Sequence, residues 1–131
     1  MAQIKIFAHR EFLTEGSTRA DISRSVHGAV MAALALPADK VFHRFLGLEA
    51  ADFVHPQDRG PRYTLIEISM FEGRTAEAKK QLIRELFTRL EASPGIEPHS
   101  VEITIFETPR HNWGIRGLPG DELPLSYQVN V

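Results

Sequence analysis

Six histidines and several arginines are the side chains with the widest chemical range in this sequence, because the chain contains no cysteine. Disulfides, thiolate zinc sites and cysteine nucleophiles are therefore excluded. The histidines show neither the H-x-H nor the H-x-x-x-H spacing of a metal site. We therefore predict that the protein holds no metal, and no motif points to any other cofactor.

Three residues around one apolar run carry candidate binding groups. His43 and Arg44 are adjacent, so in a strand their side chains would point to opposite faces. One of them must then meet the interior or a subunit boundary, and both are candidate substrate-binding residues. Lys40, just before them, could bind a carbonyl group through its amine, although a solvated surface lysine is the simpler interpretation.

Binding to nucleic acid, to phosphate groups or to membranes is not indicated. The segment Gly114–Gly117 is too short for a phosphate-binding loop, and no basic stripe carries interleaved aromatic residues. The net charge of −2 argues against a broad anion-binding surface. No apolar run approaches the roughly 20 residues that span a bilayer, and the start lacks the apolar region of a signal peptide. We therefore expect a cytoplasmic protein without nucleic-acid or membrane partners.

Hydrophobic periodicity indicates the elements that must position these residues. Alternating apolar residues predict strands, and apolar residues at helical spacing predict helices that begin at polar capping residues. Thr18 with Asp21 fits a capping box, Thr75 is a natural N-cap, and Pro37 stops the first helix. The predicted strands are 3–8, 41–48, 63–71, 101–106 and 125–131, with helices from 18 to about 36 and from 75 to about 92, and a polar stretch over 9–17.

The two halves of the chain look like copies of one strand–helix–strand unit, and the length suits a single domain. Each unit implies a parallel strand pair joined by a right-handed crossover. We predict one domain over 1–131, divided into a first βαβ unit 1–48, a linker 49–62, a second βαβ unit 63–107, and a C-terminal loop and strand 108–131.

The predicted fold class is α+β, built as a tandem βαβ pseudo-repeat. Its four-stranded sheet carries two helices on one face, and a short C-terminal strand follows. Two helices cannot cover both faces of the sheet. Because a monomer rarely exposes an apolar sheet face, a homo-oligomer that packs these faces together is the simplest arrangement.

Two motifs in the second half resemble those of the tautomerase superfamily. The stretch Glu72–Leu82 reads E-G-R-T-A-E-A-K-K-Q-L and is similar to the superfamily pattern E-G-R-S/T-x-E-x-K-x-x-L. Val101–Ile105 leads through Glu107 to Asn112–Gly117, which resembles the ending V-x-V-x-I…E…N/H-W/F-G-I-x-G. This half matches the pattern of 4-oxalocrotonate tautomerase, and the duplicated length resembles the branch that contains malonate semialdehyde decarboxylase.

The resemblance implies a tautomerase/MIF-like fold that assembles as a homotrimer and acts on a small carboxylate-bearing keto or enol compound. In the family, an arginine at the position of Arg74 holds the substrate carboxylate through its guanidinium fork. Trp113, with Asn112 beside it, corresponds to the aromatic wall of the site, and Arg116 is a candidate second anion ligand. The alternatives are that Arg74 forms a surface salt bridge with Glu72 or Glu77 and that Trp113 simply packs.

The amino terminus departs from the family pattern. Family enzymes carry a catalytic proline in the frame M-P-x-I-x-I, and here Ala2 stands at the proline position. Loss of Met1 would leave Ala2 with a primary amine, whose pKa is ordinarily roughly 7.7–8.0 and is lowered by burial. Such an amine could act as a general base or form a Schiff base. The alternative is a strand terminus without chemistry.

Two functions therefore remain open. The first is a tautomerase-superfamily enzyme that performs keto–enol tautomerisation or related proton transfer. A decarboxylase or hydratase reaction is less favoured, because an acidic residue assists the decarboxylase-like chemistry where Lys40 stands here. The second is a non-catalytic trimeric homologue that binds a small anion or serves as a scaffold.

Overall fold

A computed structural model describes residues 1–129 of the chain. Within them, short 3₁₀ turns cover 50–52, 57–59, 98–100 and 110–112. The helices and strands in chain order are β1 (Ala2–His9), α1 (Arg10–Leu13), α2 (Thr18–Leu34), β2 (His43–Leu48), β3 (Thr64–Phe71), α3 (Ala76–Ala92), β4 (Val101–Thr108), β5 (Gly114–Ile115) and β6 (Leu118–Pro119).

Four strands form one sheet in the order β2-β1-β3-β4. The outer pairs β1–β2 and β3–β4 are parallel, and the central pair β1–β3 is antiparallel. Ala2 pairs with Met70 at one end of the central pair, and Ala8 pairs with Thr64 at the other. The two halves are therefore related by an approximate twofold axis, and the predicted tandem βαβ fold is confirmed.

One face of the sheet carries the hydrophobic core. Ile6, Ile66 and Ile68 are fully buried because alternate residues of each strand point toward the helices. They belong to one cluster with Ile22 of α2 and Leu86 of α3. Each fully buried aliphatic side chain contributes roughly 1.5–3 kcal/mol relative to an exposed one. The cluster therefore fixes both helices on the same side of the sheet, as predicted.

The opposite face of the sheet, which we call the open face, carries Lys5, Glu67, Thr104 and Phe106. Lys5 pairs with Glu67, and Glu67 pairs with Thr104, so these side chains project on the same side. Phe106 is 46% exposed, although it is a large apolar residue. The two helices leave this face without a cover, which agrees with the expectation from the sequence.

The helical region between β1 and β2 differs in detail from the prediction. The polar stretch 9–17 contains α1, whose Phe12 and Leu13 are buried. The N-cap of α2 is Ser17 rather than Thr18, and the Ser17 hydroxyl donates to Asp21 at 2.8 Å. The helix ends at Leu34, where Ala35 adopts a left-handed conformation with φ of 54°.

The strand predicted over 125–131 is wrong over its described part. Residues 125–129 form no ladder, and the two-stranded sheet near the end of the chain joins β5 to β6 instead. The alternation of Leu125 and Tyr127 reflects packing on the amino-terminal end of the sheet, where Tyr127 contacts the core. Residues 130 and 131 of that prediction lie outside the described residues.

Among residues 1–129, no helix has the length and hydropathy needed to cross a membrane.

Candidate functional site

The amino terminus is buried at the start of β1, beside the end of β3. Met1 is only 7% exposed, and its α-amine donates a hydrogen bond to the hydroxyl of Tyr127. Burial, together with the positive charges of Arg74, Arg110 and Lys40, lowers the pKa of this amine from its ordinary value to about 5. At neutral pH the amine is therefore uncharged and carries a free lone pair, which is the state required of a general base.

Arg74 is placed by the turn between β3 and α3. Gly73 has φ of 124°, a conformation that glycine adopts without steric cost. Thr75 then caps α3, with its hydroxyl oxygen accepting the Ala78 backbone N–H at 3.0 Å. The Arg74 side chain between them turns inward and is only 8% exposed. The local turn and cap thus direct a cationic side chain into the interior.

Within residues 1–129, the buried Arg74 guanidinium uses one donor. Its Nη1 donates at 2.6 Å to the carbonyl of Leu34, which is one of the free carbonyls at the end of α2. Burial lowers the pKa of Arg74, but an arginine remains charged near neutral pH. None of the ion pairs formed within residues 1–129 involves Arg74, and Glu77 pairs with Arg84 instead. The predicted alternative of a surface salt bridge is therefore wrong.

Arg110 fixes the C-terminal segment over the amino terminus. Its Nε and Nη2 donate to the Gly120 carbonyl at 3.0 and 2.8 Å, and Nη2 also donates to the Leu123 carbonyl at 2.8 Å. Its guanidinium carbon lies 5.4 Å from the centre of the Phe71 ring. Arg110 thus organises the chain that covers the site and adds positive charge near the amine.

A small cavity of about 190 Å³ opens beside the amine. Lys40 and Arg116 line it together with Met1, and the segment 123–127 forms the remaining wall. The Lys40 side chain is only 19% exposed, although Asp39 lies 3.9 Å away. Lys40 is therefore partly covered and lines this cavity, and its role as a carbonyl-binding amine stays a prediction. Its position gives the cavity a cationic wall suited to a small anion.

The other predicted site residues differ in whether they line the cavity beside the amine. Ala2 lies one residue inside the amine, at the first position of β1, and is buried. Arg116 lines the cavity and has φ of 50°. Trp113 donates from Nε1 to the Thr108 hydroxyl at 2.7 Å and packs edge-on against Phe71. Trp113 therefore contacts a neighbour of the site and does not line the cavity beside the amine.

Three predicted residues lie away from the amine cavity. His43 faces α2, where its Nδ1 lies 2.7 Å from the Ser23 hydroxyl, and burial with nearby His27 lowers its pKa to about 4. Arg44 is exposed on the open face, opposite Lys5. Asn112 is exposed in the turn before Trp113. The structure therefore does not join His43, Arg44 or Asn112 to the cationic centre.

Sequence reasoning missed two residues of this site, Arg110 and Tyr127. Tyr127 reaches the amine across a separation of 126 residues, and Arg110 acts through the carbonyls of the segment that follows it. No spacing rule connects such distant positions. A local signal existed only for the turn and cap around Arg74.

A duplicated βαβ sheet with a buried cationic centre at its amino-terminal end defines a tautomerase-type protein. The model of the tautomerase enzyme family matches residues 40–116, which is more than half of the chain, and the protein therefore belongs to the tautomerase superfamily.

Curated relatives agree with this assignment. The chain is 42% identical over 55 residues to a probable tautomerase from Ralstonia nicotianae, a match covering 42% of this chain and 79% of the relative. It is 37% identical over 57 residues to a 2-hydroxymuconate tautomerase from Comamonas testosteroni, covering 44% of this chain and 90% of the relative.

Solved structures share the full duplicated fold. FG41 malonate semialdehyde decarboxylase inhibited by 3-bromopropiolate superposes with a TM-score of 0.75 and 26% identity, covering 85% of this chain and 86% of that one. Native fused 4-OT superposes with a TM-score of 0.79 and 20% identity, covering 92% and 98%. At this identity the second match supports the fold alone.

Proposed function

We propose that this protein catalyses keto–enol tautomerisation of a small carboxylate-bearing carbonyl compound at its amino-terminal site. The observation that carries the proposal is the buried amine, which has a pKa of about 5 and lies among three cationic side chains. An uncharged base next to an anion-attracting wall is the combination that proton abstraction beside a carboxylate requires. Membership of the tautomerase superfamily supports the same reaction class.

The reaction divides between the cations and the amine. The substrate carboxylate would bind the cationic wall formed by Lys40 and Arg116. Arg74, whose charge acts on the amine, would be the further carboxylate ligand. The amine lone pair then takes a proton from the carbon next to the carbonyl group, and the C–H electron pair forms the C=C bond of the enolate. The nearby positive charges stabilise the developing oxyanion. The ammonium returns its proton to the oxygen or to another carbon, so no proton or electron is gained or lost.

We assign the working amine to Ala2 after removal of Met1. Ala2 is buried at the start of β1, and Met1 occupies the space directly beyond it. Loss of Met1 would add its volume to the adjoining cavity, which is otherwise only about 190 Å³. The intact mass of protein purified from cells tests this assignment. We expect the mass of the chain without one methionine residue, and retention of Met1 would contradict the role of Ala2.

The Arg74→Ala substitution tests the anion-binding role. Because a buried charge-assisted fork to a carboxylate is lost, we expect kcat/KM to fall by about 10²-fold or more. Phenylenolpyruvate and 2-hydroxymuconate are suitable substrates, since both carry a carboxylate next to an enol and can be followed spectrophotometrically. Arg84→Ala is the matched control, because Arg84 is an exposed arginine of α3 paired with Glu77.

Two outcomes would count against the proposal. Equal activity of Arg74→Ala and Arg84→Ala would show that Arg74 does not bind the substrate. A folded wild-type protein that turns over neither substrate would favour the non-catalytic homologue that binds a small anion.

We further propose that the protein assembles as a homotrimer through the open face. A fused 4-OT solved as a symmetric trimer superposes with a TM-score of 0.76 and 21% identity, covering 91% of this chain and 96% of that one. The exposed Phe106 and the charged pair Lys5 and Glu67 lie on the face that the helices leave uncovered. A subunit packed there would bury this apolar surface.

A further inference from the structure

The far end of the central strand pair holds a second and larger cavity. Its volume is about 790 Å³, and it shares no lining residue with the cavity beside the amine. The approximate twofold axis that relates the halves carries the end formed by Ala2 and Met70 onto the end formed by Ala8 and Thr64. The second cavity thus lies at the end of the sheet that corresponds to the amino-terminal site. There the chain continues through Tyr63, so no terminal amine is present.

Two histidines at this end form a hydrogen-bonded pair whose tautomers can be assigned. Nδ1 of His55 lies 2.9 Å from the carbonyl of Pro56, and a carbonyl only accepts, so this nitrogen carries a hydrogen. In neutral His55 the other nitrogen, Nε2, is then an acceptor. Nε2 of His9 lies 2.7 Å from it and must be the donor. Neutral His9 is therefore protonated on Nε2 and has its lone pair on Nδ1.

Nδ1 of His9 is available to a ligand. None of the hydrogen bonds formed within residues 1–129 engages this nitrogen. Burial and the neighbouring His55 lower the pKa of His9, which keeps the ring neutral and the lone pair free near neutral pH. The nearby Tyr63 hydroxyl does not compete for it, because it donates to Glu102 on β4. His9 is thus an acceptor that the protein holds in one tautomer and leaves unfilled.

The walls of the cavity determine what kind of molecule can reach this acceptor. Phe12, Phe53 and Pro61 give it apolar walls, and the ring of Phe53 packs edge-on against His9 at 5.1 Å between centroids. Glu11, Glu15 and Arg62 also line the cavity. The Arg62 guanidinium donates to the Gly95 carbonyl at 3.0 Å and lies over the Phe12 ring, and the two carboxylates leave the lining with a net negative charge that would repel an anion. This environment is opposite in sign to the cationic site at the amino terminus. It favours a neutral, flat and largely apolar molecule that brings one hydrogen-bond donor.

We propose that this cavity is a second small-molecule site, which binds an uncharged phenol or other planar hydroxy compound. The ligand hydroxyl donates to Nδ1 of His9, and the ring packs against Phe12 and Phe53. The hydrogen bond from His9 to His55 and that from His55 to the Pro56 carbonyl act as a positioning relay that keeps the acceptor nitrogen unprotonated.

A pair of probe molecules that differ only in the donor tests the proposal. 4-Methylphenol and its methyl ether, 4-methylanisole, are titrated into the full-length protein, and binding is followed through the NMR resonances of the histidine rings. We expect saturable binding of the phenol, about tenfold tighter than that of the ether, because the ether cannot donate the hydrogen bond to this half-buried acceptor. The largest shifts should fall on His9.

Two variants separate the acceptor from the relay. His9→Phe keeps an aromatic ring but removes the acceptor, so the preference for phenol over ether should disappear. His55→Phe leaves His9 in place but frees it to take the other tautomer, so the preference should also fall. His111→Phe, at an exposed histidine outside the cavity, is the matched control and should keep the tenfold ratio.

These binding measurements test the second site independently of any catalytic activity. Absence of saturable phenol binding at about 10 mM, or an unchanged ratio in whichever of the two variants folds, would overturn it. Since binding is read directly, a failure of the proposed tautomerase reaction would leave this result unaffected. Displacement of the phenol by benzoate with higher affinity would also contradict it, because it would show an anion site instead.

Discussion

At the scale of single residues, the amino-terminal site depends on keeping one amine neutral among fixed positive charges. The amine of Met1 can lose its charge by losing a proton, whereas Arg74 and Arg110 cannot. Burial and the repulsion between these positive charges therefore favour the uncharged form of the amine, and its pKa is lowered to about 5. The outcome is a neutral amine near several positive charges, which is the combination that the proposed reaction requires.

The pH dependence of catalysis should report this neutral amine. Only the deprotonated amine can accept a proton, so kcat/KM for phenylenolpyruvate should rise as the pH passes about 5 and level off by neutral pH. The value of about 5 is that of the Met1 amine. Ala2 is also buried at the start of β1, so with Ala2 at the terminus the limb should likewise lie below the ordinary pKa near 8. A limb near pH 8 would show that the amine is solvated and would contradict the site as described.

Stability should follow the same titration with a defined sign. The unfolded amine has its ordinary pKa near 8 and binds a proton that the folded amine lacks between pH 5 and 8. The free energy of unfolding should therefore contain a contribution that rises with pH across this window and is constant above it. Urea titrations of wild-type and N-terminally acetylated protein should differ in this slope, since acetylation removes the titrating group.

At the scale of elements, the turn and cap before α3 connect local sequence to the site. Gly73 allows the chain to leave β3, and Thr75 starts the helix two residues later, which leaves Arg74 directed inward. The Arg74 side chain then meets the free carbonyls at the end of α2. A cation at a helix C-terminus is favourable by itself, so the same residue joins two helices and supplies charge to the site.

Replacing the cap should weaken this element without touching the cavity. Thr75→Ala removes the hydroxyl that accepts from the Ala78 N–H, and we expect a loss of about 1 kcal/mol in the free energy of unfolding, measured with urea. Thr88→Ala, at an exposed position inside α3, is the matched control and should change stability by less than about 0.5 kcal/mol. Equal effects of the two substitutions would show that the cap contributes nothing.

This contrast between local and distant signals explains which features could be predicted from the sequence. The cap at Thr75 and the alternating strand around Ile66 depend on neighbours a few positions away, so their prediction is confirmed. The contact of Tyr127 with the amine depends on the whole chain having folded. The same holds for Lys40, which shares the cavity beside the amine with residues 123–127 at the far end of the chain.

The C-terminal segment depends on one close approach at Gly120. A Cβ at this position would lie 2.3 Å from the Arg110 carbonyl oxygen, so the backbone would have to move. Gly120→Ala should therefore displace the segment that Arg110 fixes over the amine, and kcat/KM should fall by about tenfold or more. Gly114→Ala is the matched control, because no atom lies within 4 Å of its added Cβ. Activity would be compared at a temperature where circular dichroism shows both variants folded.

At the scale of the whole molecule, the approximate twofold axis produces two chemically different ends from one duplicated unit. The end at Met1 is cationic and contains an amine, whereas the end at His9 carries an imidazole pair and carboxylates. Between them lies the open face, which neither helix covers. The duplication therefore allows the two ends to diverge, while the shared sheet keeps one uncovered face, which is the surface proposed for assembly.

Assembly through that surface can be tested by placing a charge on it. Phe106 is 46% exposed on β4 and projects on the open face, since its neighbours Ile103 and Ile105 pack toward the core. Phe106→Glu would bury a carboxylate between subunits, which is strongly unfavourable without a partner. The mass measured by sedimentation should then shift from about three times the 14.7 kDa chain mass to that of the monomer.

Met31→Glu adds the same charge at a comparably exposed apolar position of α2, and this control variant should remain trimeric. A wild-type protein that sediments as a monomer would refute the trimer, and a trimeric Phe106→Glu would show that a different surface holds it together.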